Sequence, residues 1–198
     1  MKDPSCVRDA GSPVRSNVLP ILIGPLAVGL SFAASPDWRG AFGSALALLM
    51  LAIAVSDIRH FIVPDVLSAS AFMLGLIFAG LFDDAPLAEA IMTCLLRAAA
   101  AALPLLALML LYEWWRGRPG LGLGDVKLAA VAGAWLDWFT IVGAIEVAAL
   151  AALVAYGVWR YVLRRPIVAT TPLPFGLFLA PAIWAGWLAE AVLVRYPF

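Results

Sequence analysis

The sequence predicts an all-α, polytopic transmembrane helix bundle of about six to seven membrane segments, with one short helix after a glycine loop. Three observations carry this. Of 198 residues, 64% are hydrophobic and 13% are charged; a soluble domain is roughly half apolar and about a quarter charged. Apolar runs of membrane-crossing length recur along the whole chain. Between them stand short turns that hold much of the Pro, Gly, Asp and Arg.

Each run can be taken in order. Residues 1–16 are polar, carry Lys2, Arg8 and Arg15, and read as a cytoplasmic tail. Residues 17–198 read as a single transmembrane domain. The first apolar run covers 17–34. With its basic flank and small residues near Ala33 it also fits a signal peptide, but Pro20, Pro25 and its length favour a retained helix. The second run, 41–56, stops at Asp57, Arg59 and His60. Pro64 and Asp65 mark a fresh helix start, since proline suits a first turn and Asp can cap one. The third run covers 66–82 and the fourth 90–112, closing on Trp114 and Trp115, residues suited to a membrane–water interface. The loop 116–124 is rich in glycine and arginine. The fifth apolar piece, 126–136, reaches only about half of a ~30 Å hydrocarbon core. It must therefore start inside a protein-lined interior or be extended by its neighbours. Asp137 and Trp138 end it. The sixth run is 139–162. A turn with Arg164, Arg165, Pro166, Pro172 and Pro174 leads to the seventh, 175–194.

Several function classes are excluded. The formal net charge is zero, so overall charge offers nothing to nucleic acid. Cys6 and Cys94 form no CxxC pair, which argues against a zinc ribbon or a disulfide framework. His60 is the one histidine, too few for a histidine metal site. There is no phosphate-binding or dinucleotide fingerprint. No cofactor or metal is expected.

Orientation follows from the basic residues. With the N-terminus in the cytoplasm, Lys2, Arg8, Arg15, Arg59, Arg116, Arg118, Lys127, Arg160, Arg164 and Arg165 lie inside. Arg39 and Arg195 lie outside, and Arg97 sits within a helix nearer that face. Asp57 and Asp125 then share the cytoplasmic face. Two carboxylates at one depth cannot both ionise easily, so such a pair tends to hold one proton. The ionised member can take a proton from water while the protonated member polarises a carbonyl. Gly122 and Gly124 let the backbone approach an extended substrate. Taken singly, an aspartate at a helix end is more often a cap. The glycine loop in front of Asp125 shifts that balance.

Three segments resemble the type IV prepilin peptidases, bacterial membrane aspartic proteases of the GxGD class. The first is DIRHFIVPD, from Asp57 to Asp65, similar to that family's Asp, six residues, Pro64, then Asp or Asn. The second is GLGDVKL, Gly122 to Leu128, followed by Gly133-Ala-Trp135. The third is TPLPFG, Thr171 to Gly176, similar to a Pro-Phe-Gly-Pro block. The resemblance covers roughly residues 46–198. It implies that Asp57 and Asp125 are the catalytic pair, supported by Gly122, Gly124, Lys127, Pro64, Asp65, Pro174, Phe175 and Gly176. It implies a multi-pass protein of the bacterial inner membrane that cleaves prepilin or pseudopilin leader peptides at the cytoplasmic face, with tight-adherence (Flp-type) pili or secretion systems as the class expected for short members. Two features depart from the family. The paired CxxC motifs that accompany N-methylation are not in this sequence, so methylation is not expected. Leu177 stands where the family often has proline, which bears on substrate geometry there.

Two rivals use the same residues: a GxGD protease of the presenilin kind, against which no Tyr-Asp pair occurs, and a carrier with the aspartates as a proton relay. A catalytically dead scaffold is weighed below both. Elsewhere, His60 and Asp65 lie near enough to influence Asp57. Arg97 and Glu146, each about seven residues from the outer end of its run and so roughly 10 Å deep, are expected to pair across two helices. Glu190 and Arg195 are expected to be solvated near the outer surface.

Overall fold

The computed structural model describes residues 15–117, 122–162 and 174–195. The expected tail falls almost wholly outside these residues, as do Arg118, Arg164, Arg165, Pro166, Thr171 and Pro172. Among the described residues there are seven α-helices and no strand: α1 (Arg15–Ala34), α2 (Trp38–His60), α3 (Asp65–Phe82), α4 (Leu87–Arg116), α5 (Leu123–Trp135), α6 (Trp138–Gly157) and α7 (Gly176–Arg195). A π-helical turn, Val158–Val162, prolongs α6. Five of these helices are long and apolar enough to cross a membrane. This is a multi-pass membrane bundle, as the composition predicts.

The helices run further than the apolar runs alone suggest. α2 continues past Ser56 through Asp57 to His60, and α5 begins at Leu123, so both aspartates lie inside helical turns rather than beyond them. Asp65 does not cap α3. Pro64 occupies the N-cap position with φ −65°, and Asp65 is the first helical residue. Its carboxylate is thereby free to reach another helix.

The short fifth helix is the centre of the bundle. At 13 residues it is about 20 Å long. It packs against α3, α4, α6 and α7, and nine of its residues, from Asp125 to Trp135, are buried. A helix apolar on every face belongs in an interior. Small residues let its neighbours close on it. A Cβ on Gly133 would lie 2.5 Å from the backbone of Ala98 on α4. Trp135 donates its indole N–H to the Ala71 carbonyl of α3 at 2.9 Å and stacks on Phe78. Cys94 of α4 donates to the Ala134 carbonyl at 3.4 Å. On the other side, α7 lays Trp187 directly over Gly43 of α2. Trp184 donates to the Ser31 hydroxyl of α1. Leucines such as Leu103, Leu110, Leu150 and Leu153 face outward, where lipid would meet them.

One expected contact is corrected. Arg97 does not pair with Glu146, which faces outward on α6. Its guanidinium binds Asp137 at 2.6 Å. The reason is the shortness of α5. The α5–α6 corner comes to the level of Arg97, ten residues into α4, and offers a carboxylate there. Glu190 is not simply solvated either: it accepts the Asp137 N–H at 2.8 Å and so satisfies a free amide at the start of α6. The side chain of Arg195 lies outside the described residues.

Two outcomes follow from this packing. Gly133→Ala forces a Cβ into the α4 backbone and lowers stability by about 2 kcal/mol, read as a lower thermal midpoint in detergent. Gly143→Ala, on an open face of α6 with nothing within 4 Å, leaves it unchanged or slightly higher. Arg97→Gln and Asp137→Asn each cost about 1–2 kcal/mol, and the double variant costs no more than the worse single one. Glu146→Gln costs nothing measurable by the same melt.

Candidate active site

Four chain segments meet at one end of the bundle: the last turn of α2, the link 61–64, and the first turns of α5 and α7. α2 ends on Phe61, a non-glycine residue in the left-handed region at φ 53° that donates its N–H to the Asp57 carbonyl. For a bulky residue that backbone is disfavoured, and the side chain of Phe61 stays largely exposed. Ser56 donates to the Ile62 carbonyl at 2.9 Å. The turned chain then drops Val63 into the core. Val63 packs on Gly124, where a Cβ would come within 2.7 Å of its side chain. Gly124 is thus needed for close approach of α5 to this link.

The two aspartates are brought together. Asp57 is 6% exposed and Asp125 9% exposed, and they are near enough for direct charge repulsion between the carboxylates. Asp125 stands in the first turn of α5, its N–H bonded to the Gly122 carbonyl at 3.1 Å. Gly122 is the N-cap of that helix and lies against the Asp125 carboxylate. Asp57 meets the start of α7. Its Oδ2 accepts the Leu177 N–H at 2.9 Å, and the Gly176 amide also faces it. A Cβ on Gly176 would stand 2.9 Å from that same oxygen. Glycine is therefore the residue that lets α7 dock on the carboxylate. Pro174 is buried and Phe175 packs against the core, anchoring the entry to α7.

Lys127 and Asp65 also find each other. The ammonium of Lys127 on α5 binds the carboxylate of Asp65 on α3, cross-linking the second sequence block to the first. Pro64, half-buried, sets the turn that delivers Asp65 to that position. His60 is exposed on the last residue of α2. Among the described residues no group of three or more His, Cys, Asp or Glu side chains is gathered that could hold a metal ion.

All ten residues singled out in the sequence thus lie at this one end. Sequence reasoning missed the Leu177 amide, the left-handed Phe61 and the seat of Val63. The first is a backbone donor, whose only trace in the sequence is that residue 177 is not proline. The other two depend on how the link folds back.

A buried pair of close carboxylates, one of them held by a helix N-terminus, can share a proton and act on a water between them. Comparison with known proteins identifies the family. The model of the type IV leader peptidase family matches residues 44–158. Among curated proteins, one from Pectobacterium carotovorum subsp. carotovorum is 38% identical over 144 residues, 71% of this chain and 49% of that protein. One from Pseudomonas aeruginosa is 36% identical over 145 residues, 71% of this chain and 45% of that protein. One from Xanthomonas campestris pv. campestris is 33% identical over 147 residues, 74% and 49%. Each of the three is named a prepilin leader peptidase/N-methyltransferase. The chain spans about half the length of these relatives. No solved structure matches it. A family match over more than half of the chain, containing both aspartates and the glycine loop, makes this protein a member of the type IV leader peptidase family.

Proposed function

We propose that the protein is a membrane-embedded aspartic endopeptidase that removes the leader peptide of type IV prepilin-like precursors at the cytoplasmic face. The observation that carries this reading is the burial of Asp57 and Asp125 at the same end of the bundle, with the third sequence block closing over Asp57. Family membership supports the substrate class.

In this mechanism a water lies between the two carboxylates. The ionised one removes a proton from it as the oxygen attacks the scissile carbonyl carbon. The protonated one gives its proton to the carbonyl oxygen, forming a gem-diol. Collapse of that intermediate breaks the C–N bond: the carboxylate that gave its proton takes one back from a gem-diol hydroxyl as the carbonyl re-forms, and the proton taken from water passes to the departing amine. The dyad ends with one proton, as it began, and titrates as a unit.

The distribution of basic residues supports the side of action. Arg59, Arg116, Lys127 and Arg160 lie at or near the Asp57 end of their helices, and Arg39 begins α2 at the other end. A leader peptide in the cytoplasm would meet this end first. The hydrophobic helix behind the leader would remain in the bilayer.

The test is cleavage of a prepilin precursor by purified protein in detergent, with a Flp-type precursor tried first. Asp57→Asn and Asp125→Asn each keep the size and shape of the side chain and remove its acid–base function. Each is expected to lower kcat by at least about 100-fold with an unchanged elution profile and melting curve. A folded variant of either kind with wild-type cleavage would discard the two-aspartate mechanism.

A further inference from the structure

We infer that the outward face of α6 around Glu146 is an interface within the membrane, and that its partner is the same face of a second copy of this chain.

Glu146 lies deep in the bilayer. α6 and its π-helical extension are bracketed by aromatic residues, Trp138 and Phe139 at one end and Trp159 and Tyr161 at the other. Such side chains settle at the two membrane surfaces. At 1.5 Å per residue, Glu146 stands about 12 Å from Trp138 and about 20 Å from Trp159. A glutamate side chain is too short to reach either surface. It also points away from its own bundle. Ile141, Ala144, Ala148 and Ala152 bury α6 against its neighbours, and at 3.6 residues per turn Glu146 falls on the opposite side of the helix. It is exposed there, and among the described residues no hydrogen bond or ion pair reaches it. A carboxyl group facing hydrocarbon is expensive, and ionisable groups inside membranes pair with one another or with other polar groups.

The residues around Glu146 form a seam for another helix. Gly143, Glu146, Leu150, Leu153 and Gly157 follow one another at intervals of three, four, three and four residues, the spacing that keeps one helix against another. The two leucines are 61% and 65% exposed, and a Cβ on either glycine would meet nothing within 4 Å. Glycines on such a face let a second backbone come close. Glu146 decides what covers the seam. A two-fold axis along the membrane normal lays the α6 helices of two copies side by side and brings each Glu146 to the depth of its twin. Two carboxyls so placed serve each other, since a proton between them is donated by one and accepted by the other. An apolar partner helix would leave the group with neither donor nor acceptor.

The test has two parts, both on the full chain. In isolated membranes, with Cys6→Ser and with Cys94 left buried in the core, Leu150→Cys is expected to give a covalent dimer when an oxidant is added. Leu103→Cys, 58% exposed on α4, is expected to give none. In liposomes, energy transfer between labelled copies is followed as the protein is diluted with lipid. Glu146→Leu is expected to raise the dissociation constant of the dimer by about ten-fold. Glu146→Gln, whose amide both donates and accepts, is expected to stay within about three-fold of wild type. Both variants keep the wild-type melting curve in detergent, which separates lost association from lost folding. A wild-type chain that is monomeric at every density overturns the inference. So does a Glu146→Leu chain that associates as tightly as wild type, or a Leu103→Cys chain that cross-links as well as Leu150→Cys. Capture of a prepilin by Leu150→Cys, with no dimer, overturns it too, by giving the face to the substrate.

Discussion

A carboxylate in an apolar bundle has to be met by donors, or it cannot remain there charged. That requirement organises this structure. Asp57 is met by the first amides of α7, and Asp125 lies against the glycine that opens α5. Helix N-termini are well suited to the task, since their free N–H groups need partners as much as the carboxylates do. Placing α5 and α7 so that their starts reach the end of α2 then dictates much else. α5 must lie inside the ring of longer helices, and those helices must carry Gly or Ala where it touches them. The opposite end of α5 must find its own polar partners below the far surface, which Arg97 and Glu190 supply.

Much of the site was legible in the sequence because its chemistry is tied to local patterns. A proline before an Asp at a helix start, a glycine loop ahead of an Asp, and a Pro-Phe-Gly stretch each announce a backbone event at a known place. Their convergence was legible too, from the alternation of apolar runs and the bias of basic residues. Less legible were the links between helices. Nothing in the spacing of Lys127 and Asp65 announces their bond, which depends on α3 and α5 starting side by side. Depth counted from the outer ends of the fourth and sixth runs pairs Arg97 with Glu146, and that count leaves out the carboxylate that the α5–α6 corner brings to the level of Arg97. A helix shorter than the rest moves its corner residues inward, and a partner judged by depth moves with them.

Glycine gives different messages at different positions here. At Gly124, Gly133 and Gly176 it is the absence of a side chain that matters, since each sits where another segment comes too close for a Cβ. At the turn after α2 the left-handed backbone is taken instead by Phe61. The link beyond it is pinned by the Ser56–Ile62 bond and by Val63 in the core, so it is defined by tertiary contacts rather than by its own preferences. This is one reason the route from α2 to α3 could not be drawn from the sequence, although both of its ends could.

The buried position of α5 bears on how the protein is made. A 13-residue apolar segment is too short to be held across a bilayer by its own hydrophobicity, and almost none of its surface faces outward. During insertion its stable depth must therefore be supplied by α3 and α4, already in place, and then by α6 and α7. The Asp57 carboxylate meets the Leu177 amide only when that last helix has docked. The site is therefore completed as the final act of assembly.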